Sequence, residues 1–216
     1  RLAAKPDANR QLIGGDWFEY AGHYGELLQL AKDPAAIDFV VGPIEGAGAV
    51  ARHYIELAEL YVDWGEFDRA LVEYGQAAQL RPIDGSIHAA MASVLALQGK
   101  QAEAVAEWRT GIGMYRDALN GPGGGVPAMR LAELIDDANR RKSFATLEPE
   151  ITPLVRQYAA VNGGYEMSAV LEAGYRAAAN AEKGTAWIID VAGSGPQQTE
   201  TLRQVAKSKW LPDAQK

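Results

Sequence analysis

The sequence contains no cysteine. Disulfides, thiolate metal sites and cysteine nucleophiles are therefore excluded, while the compartment stays open. A chain without thiols suits the cytoplasm or an oxidising, extracytoplasmic space equally well. Histidine is scarce too: His23, His53 and His88 are the only three, which gives a catalytic triad little support. No apolar run approaches the ~20 residues needed to cross a bilayer. Clusters of basic residues are also missing, and 21 Lys and Arg stand against 28 Asp and Glu, for a net charge of −7. Nucleic-acid affinity comes largely from cations that neutralise phosphates, so nucleic acid is not an expected partner. Anionic membrane surfaces are disfavoured on the same ground.

What is present suffices for one or two domains. The 216 residues can bury a real core, and 48% hydrophobic with 23% charged residues is ordinary for a soluble globular chain, which argues against disorder. The chain begins at Arg1 without Met or a signal-peptide pattern and stops at Lys216 soon after a predicted helix, so it reads as a fragment or processed product.

A repeat organises the centre. Sliding Ala51–Asp84 forward by about 34 residues lays it on Gly85–Ala118. Tyr54, Leu57, Ala58 and Tyr61 then meet His88, Met91, Ala92 and Leu95, while Gly65, Ala70, Tyr74 and Ala77 meet Gly99, Ala104, Trp108 and Gly111. Pro82 has no counterpart, since Arg116 stands there. Within a unit, Tyr54, Leu57, Ala58 and Tyr61 fall at i, i+3, i+4, i+7, one face of a helix. Gly65 breaks that helix, Ala70, Tyr74 and Ala77 mark a second, and Pro82 ends it. Asp84 or Ser86 is suited to cap the next helix.

This spacing resembles the tetratricopeptide repeat, whose signature is a bulky residue, Leu, a small residue and Tyr in one helix, then Gly, Ala, an aromatic, Ala and Pro. The first unit carries all of it, from Tyr54 to Pro82; the second lacks the Pro and has His88 at the leading bulky position. The resemblance covers about 68 residues, 51–118. It implies an all-α, right-handed α-α superhelix of antiparallel helix pairs whose concave face binds a peptide or partner protein. Carried over by position, that face is Arg52, Ile55, Glu59, Val62 and Asp63 in the first unit and Ser86, Ala89, Ser93, Ala96 and Leu97 in the second. Relatives that grip a chaperone's C-terminal carboxylate use a Lys and Asn pair there. Ile55 and Glu59, then Ala89 and Ser93, stand at those places, so that clamp is not expected.

The flanks are less regular. Residues 1–50 hold an amphipathic stretch, Asp16–Lys32, with Trp17, Tyr20, Tyr24, Leu27, Leu28 and Ala31 on one face, followed by the Gly-rich connector Val41–Val50. "NGPGGGVP", Asn120–Pro127, reads as the linker (119–127), and 128–216 as further repeat-like helices: Met129–Asn139, a stripe of Ile151, Leu154, Val155 and Tyr158, another of Met167, Val170, Leu171, Gly174, Tyr175 and Ala178, and a last helix over Thr201–Trp210. "GTAWIIDVAG" is ambiguous, and without a partner strand it reads as a short helix.

Candidate chemistry is sparse. Glu19, His23 and Glu26 share a helical face that could offer metal ligands, but at about 100° per residue it lies opposite the aromatic stripe and reads as a solvent face. His53 and His88 head successive first helices without a third ligand. "VAGSGPQQTE" superficially resembles a phosphate loop but lacks the Lys and the strand-to-helix context. Glu148 and Glu150 point to different faces of a helix and make a poor acid/base pair. Among the tryptophans, Trp108 takes the core position of Tyr74, and Trp64, at a turn, is the one expected to be most exposed.

The expected function is thus a non-catalytic protein–protein interaction scaffold with no metal and no cofactor, part of a larger chain or assembly. Two other readings stay open. One is an accessory repeat region of an enzyme or ligand-binding protein whose site lies in 120–216 or at Glu19, His23 and Glu26. The other is an architectural subunit that self-associates.

Overall fold

Residues 32–33, 50–121, 128–161, 167–192 and 196–207 are described by a computed structural model of the chain. All regular structure among them is helical: α1 (Ala51–Trp64), α2 (Phe67–Leu80), α3 (Gly85–Leu97), α4 (Gln101–Asn120), α5 (Ala128–Arg140), α6 (Phe144–Val161), α7 (Met167–Ala177), α8 (Ala181–Val191) and α9 (Pro196–Lys207). The chain divides into two compact units, Arg1–Leu80 and Arg81–Lys216. The Asp16–Lys32 stripe (Lys32 apart), Glu19, His23 and Glu26, the connector before Val50, residues 122–127 of the linker, and Trp210 lie outside the described residues.

In the first unit α1 packs on α2. Gly65 takes the left-handed conformation, φ 77°, so the chain reverses at once. Its N–H bonds Val62 O and the Glu66 N–H bonds Tyr61 O at 2.8 Å, closing the orphan carbonyls of α1. Ala58, Ala70 and Ala77 are wholly buried, small enough to let the helices approach, and Tyr61 and Tyr74 fill the space beside them. Tyr61 also meets the Trp64 ring edge-on at 6.3 Å and carries the Arg69 guanidinium 5.4 Å from its centroid. α2 stops at Leu80, before Pro82, which has no N–H to continue it.

The second unit repeats that construction. Gly99, φ 78°, ends α3 with the same two backbone bonds, to Ala96 O and from Lys100 N–H to Leu95 O. A third such turn follows α5 at Lys142, φ 59°, with bonds to Asn139 O and from Ser143 N–H to Ala138 O. The left-handed residues of these three turns, 65, 99 and 142, each follow the start of their first helix (51, 85 and 128) by the same interval. Each precedes the second helix (67, 101 and 144) by two residues. The second helices share a buried register as well. Ala70, Tyr74 and Ala77 correspond to Ala104, Trp108 and Gly111, then to Leu147, Ile151 and Leu154, and in α8 to Gly184, Ile188 and Val191.

Two close approaches lock neighbouring helices. Gly85 and Gly111 bring α3 and α4 so near that a Cβ on either would lie 2.7–2.8 Å from the other's carbonyl oxygen. A Cβ at Gly174 would sit 2.0 Å from the Trp187 ring, so the indole of α8 lies flat on the backbone of α7. That contact, and the Asn180 side chain accepting from Lys183 N–H at 2.9 Å to cap α8, explain why "GTAWIIDV" is helical. Two prolines, Pro149 and Pro153, stand inside α6. Both are exposed, so the carbonyls left without a donor face water and the helix runs on. α9 starts at Pro196, five residues before the predicted Thr201, and proline is well suited to a first helical position.

Packing in this unit follows the chain in two strides. α3 touches α4, each helix from α5 touches the next through α8, and each from α3 also touches the next but one: α3 with α5, α4 with α6, α5 with α7, α6 with α8, and α7 with α9. Polar contacts bridge the longer strides between α3 and α8. Ser93 Oγ donates to Asp137 between α3 and α5, and Arg109 pairs with Glu150 at 2.7 Å between α4 and α6. Arg176 reaches Asp136 at 2.7 Å between α7 and α5. Trp187 Nε1–H donates to Thr152 at 2.9 Å and Arg156 grips both oxygens of Asp190, joining α6 and α8.

Candidate functional site

α3 is unusually poor in side-chain bulk along one face. Ser86, Ala89, Ala90 and Ser93 follow at helical spacing, and Asp84 caps the helix by accepting from Ser86 N–H at 3.1 Å and Ser86 Oγ at 2.6 Å. Because α5 packs beside this face, the small residues leave a groove of about 370 Å³ between the two helices. Its far wall is Arg130, Glu133, Leu134, Asp137 and Arg140 of α5, and Tyr115 of α4 closes one side.

The charges on that wall are held locally. Arg130 pairs with Glu133 at 2.9 Å, and Arg140 with Asp137 at 3.3 Å, each one turn along the helix. Asp137 is the buried member, its side chain 15% exposed. Burial pushes its carboxyl above the ordinary carboxylate range, and Arg141 and Arg140 pull back by less. Tyr115 is buried with its ring against Gly85. Burial is the largest cause raising its hydroxyl pKa, with Asp84 and Glu133 adding to the rise and Arg130 opposing it.

Of the residues assigned to the second unit's binding face, Ser86, Ala89 and Ser93 line the groove, whereas half-buried Ala96 and exposed Leu97 stand beyond its lining. The other five lie on α1: Arg52 is exposed and paired with Glu56 at 2.6 Å, Ile55 and Val62 are half-buried, and Glu59 and Asp63 are exposed. Glu59 and Asp63 add to the burial that raises the Tyr74 hydroxyl, which places them beside that ring. Sequence reasoning missed the whole α5 wall. A signal existed: α5 begins 14 residues before its left-handed turn, as α1 and α3 do, but Lys142 stands there where the others have glycine.

Several other candidates lie among the described residues. His88 Nδ1 lies 2.7 Å from Glu107 Oε2 on α4. Trp108 is fully buried, Trp64 half-buried and Trp187 6% exposed. Glu150 pairs with Arg109 while Glu148 is exposed. No group of three or more potential metal ligands occurs among the described residues. None of the helices described is long and apolar enough to cross a membrane. The chain matches no protein-family profile, no curated protein and no solved structure.

Proposed function

We propose that the chain is a non-catalytic scaffold of the tetratricopeptide type, a right-handed superhelix of antiparallel helix pairs, which holds a peptide segment of a partner protein in the groove between α3 and α5. The observation that carries the reading is the groove itself. Its floor is made of residues with little or no side chain, Ser86, Ala89, Ala90 and Ser93, so another backbone can approach closely. The wall opposite supplies charges at one-turn intervals, which fix the orientation of what binds. Support for the superhelix comes from the recurring turn at Gly65, Gly99 and Lys142 and from the contacts between each helix and the next but one in the second unit.

The test is a peptide-library selection on the purified chain. Peptides that bind the wild type should lose about tenfold or more in affinity, roughly 1.4 kcal/mol, when Ala89→Arg fills the groove. The control Val72→Arg, on exposed α2 surface, should bind them as the wild type does. Selection of no peptide, or equal binding by Ala89→Arg, would rule the groove out.

A further inference from the structure

The charges along α5 say what kind of side chain the groove takes, provided that it is a peptide groove. Arg130, Glu133, Asp137 and Arg140 succeed one another over ~15 Å of helix, cations at the ends and carboxylates between. Arg130 is held by an exposed one-turn pair, its side chain 54% and that of Glu133 53% exposed, whereas Arg140 pairs with the largely buried Asp137. The exposed pair contributes at most about 1 kcal/mol, so the Arg130 guanidinium swings away from Glu133 at little cost. Asp137 is different. It is fixed from across the groove by the Ser93 hydroxyl and stands over the low floor of Ala89 and Ala90.

We propose that this point of the groove seats a basic side chain, a lysine or arginine of the bound peptide, with Asp137 and Glu133 taking the cation and Ala89 and Ala90 taking its methylenes. Several features favour a cation over an anion. The groove, about 370 Å³ in volume, has room for an extended side chain. Asp137 is under-compensated where it stands: burial disfavours its charge more than Arg140 and Arg141 favour it. An added cation there recovers electrostatic energy that the free protein lacks. An anion placed between Arg130 and Arg140 would instead meet both carboxylates at close range, which costs binding. On the scale of the whole molecule, the net charge of −7 draws cationic segments toward the surface.

The experiment uses three blocked peptides on the full chain, acetyl-Ala-Ala-X-Ala-Ala-amide, with X as Lys, norleucine or Glu, titrated to millimolar concentration and followed by amide chemical shifts. The Lys peptide should move the resonances of Ser93 and Asp137 at least fivefold more than either analogue does. Asp137→Asn should reduce that response at least fivefold. Glu133→Gln, at an exposed position that does not threaten folding, should reduce it about twofold. Equal response to Lys and norleucine, preference for Glu, or no response to any peptide would overturn the proposal. If peptides selected by the wild type still depend on Ala89 yet show no basic preference, the cation seat fails while the peptide groove stands.

Discussion

Gly111 and Gly113 lie two residues apart in α4, and replacing each by alanine should change stability in opposite directions. Alanine gains about 1 kcal/mol over glycine in a helix interior, and that gain is common to both variants. At Gly113 nothing lies within 4 Å of the new Cβ, so the gain should be realised in full. At Gly111 the Cβ would sit 2.8 Å from Gly85 O, with Ala89 N at 3.6 Å. An unstrained C···O contact is about 3.3 Å or more, so α3 and α4 must part by roughly 0.5 Å. Both atoms belong to backbone, and no rotamer change relieves the clash. Overpacking of this kind costs about 1–3 kcal/mol, leaving Gly111→Ala between neutral and about 2 kcal/mol destabilised. The two variants should therefore differ by about 1–3 kcal/mol. Urea unfolding followed by far-UV circular dichroism reads this directly. With a slope of about 2 kcal/mol/M, the midpoints should separate by roughly 0.5–1.5 M. Equal stabilisation by both substitutions would refute the close crossing of α3 and α4.

Two further outcomes follow from single residues. Lys142 holds φ 59° without being glycine. That conformation costs an ordinary residue about 1–2 kcal/mol, so Lys142→Gly should raise stability by about 0.5–1 kcal/mol after glycine's own entropy is charged, measured as a higher urea midpoint. A lower midpoint would show that the lysine side chain matters more than the turn. Asp137 has its pKa raised in the folded state, chiefly by burial. Between its ordinary value and the raised one the native protein binds more protons than the unfolded chain, so the contribution of this group falls as pH rises through that window. Measured as unfolding free energy against pH, the wild type should lose stability relative to Asp137→Asn on going up through the window. A constant difference between the two proteins would contradict the burial argument.

Much of the architecture was legible in particular residues. Glycine at 65 and 99 marks turns because only it adopts φ near 77–78° without strain, and Ala58, Ala70 and Ala77 mark helix contacts because only small side chains fit there. The third turn was hidden, since Lys142 carries no glycine signal and is held in place by Ala138, Asn139 and Ser143. Pro149 and Pro153 likewise argue against a helix locally, yet Leu147, Ile151, Leu154, Val155 and Tyr158 bury one face of α6 and outweigh them. The candidate groove was half legible: Ser86, Ala89 and Ser93 could be assigned from the repeat position, while Arg130, Glu133, Asp137 and Arg140 could not.

The sequence by itself determined that the chain folds as helices, where the first two hairpins turn, and which residues face inward, because periodicity and backbone preference are local properties. Tertiary structure alone decided that α5 lies beside α3 rather than elsewhere, and with it that a row of alanines and serines becomes the floor of a groove walled by charge. Its physical reason is that a groove belongs to two helices separated by thirty residues of chain, 98–127. The contact that spans them, Ser93 on Asp137, depends on a distance that no local pattern encodes.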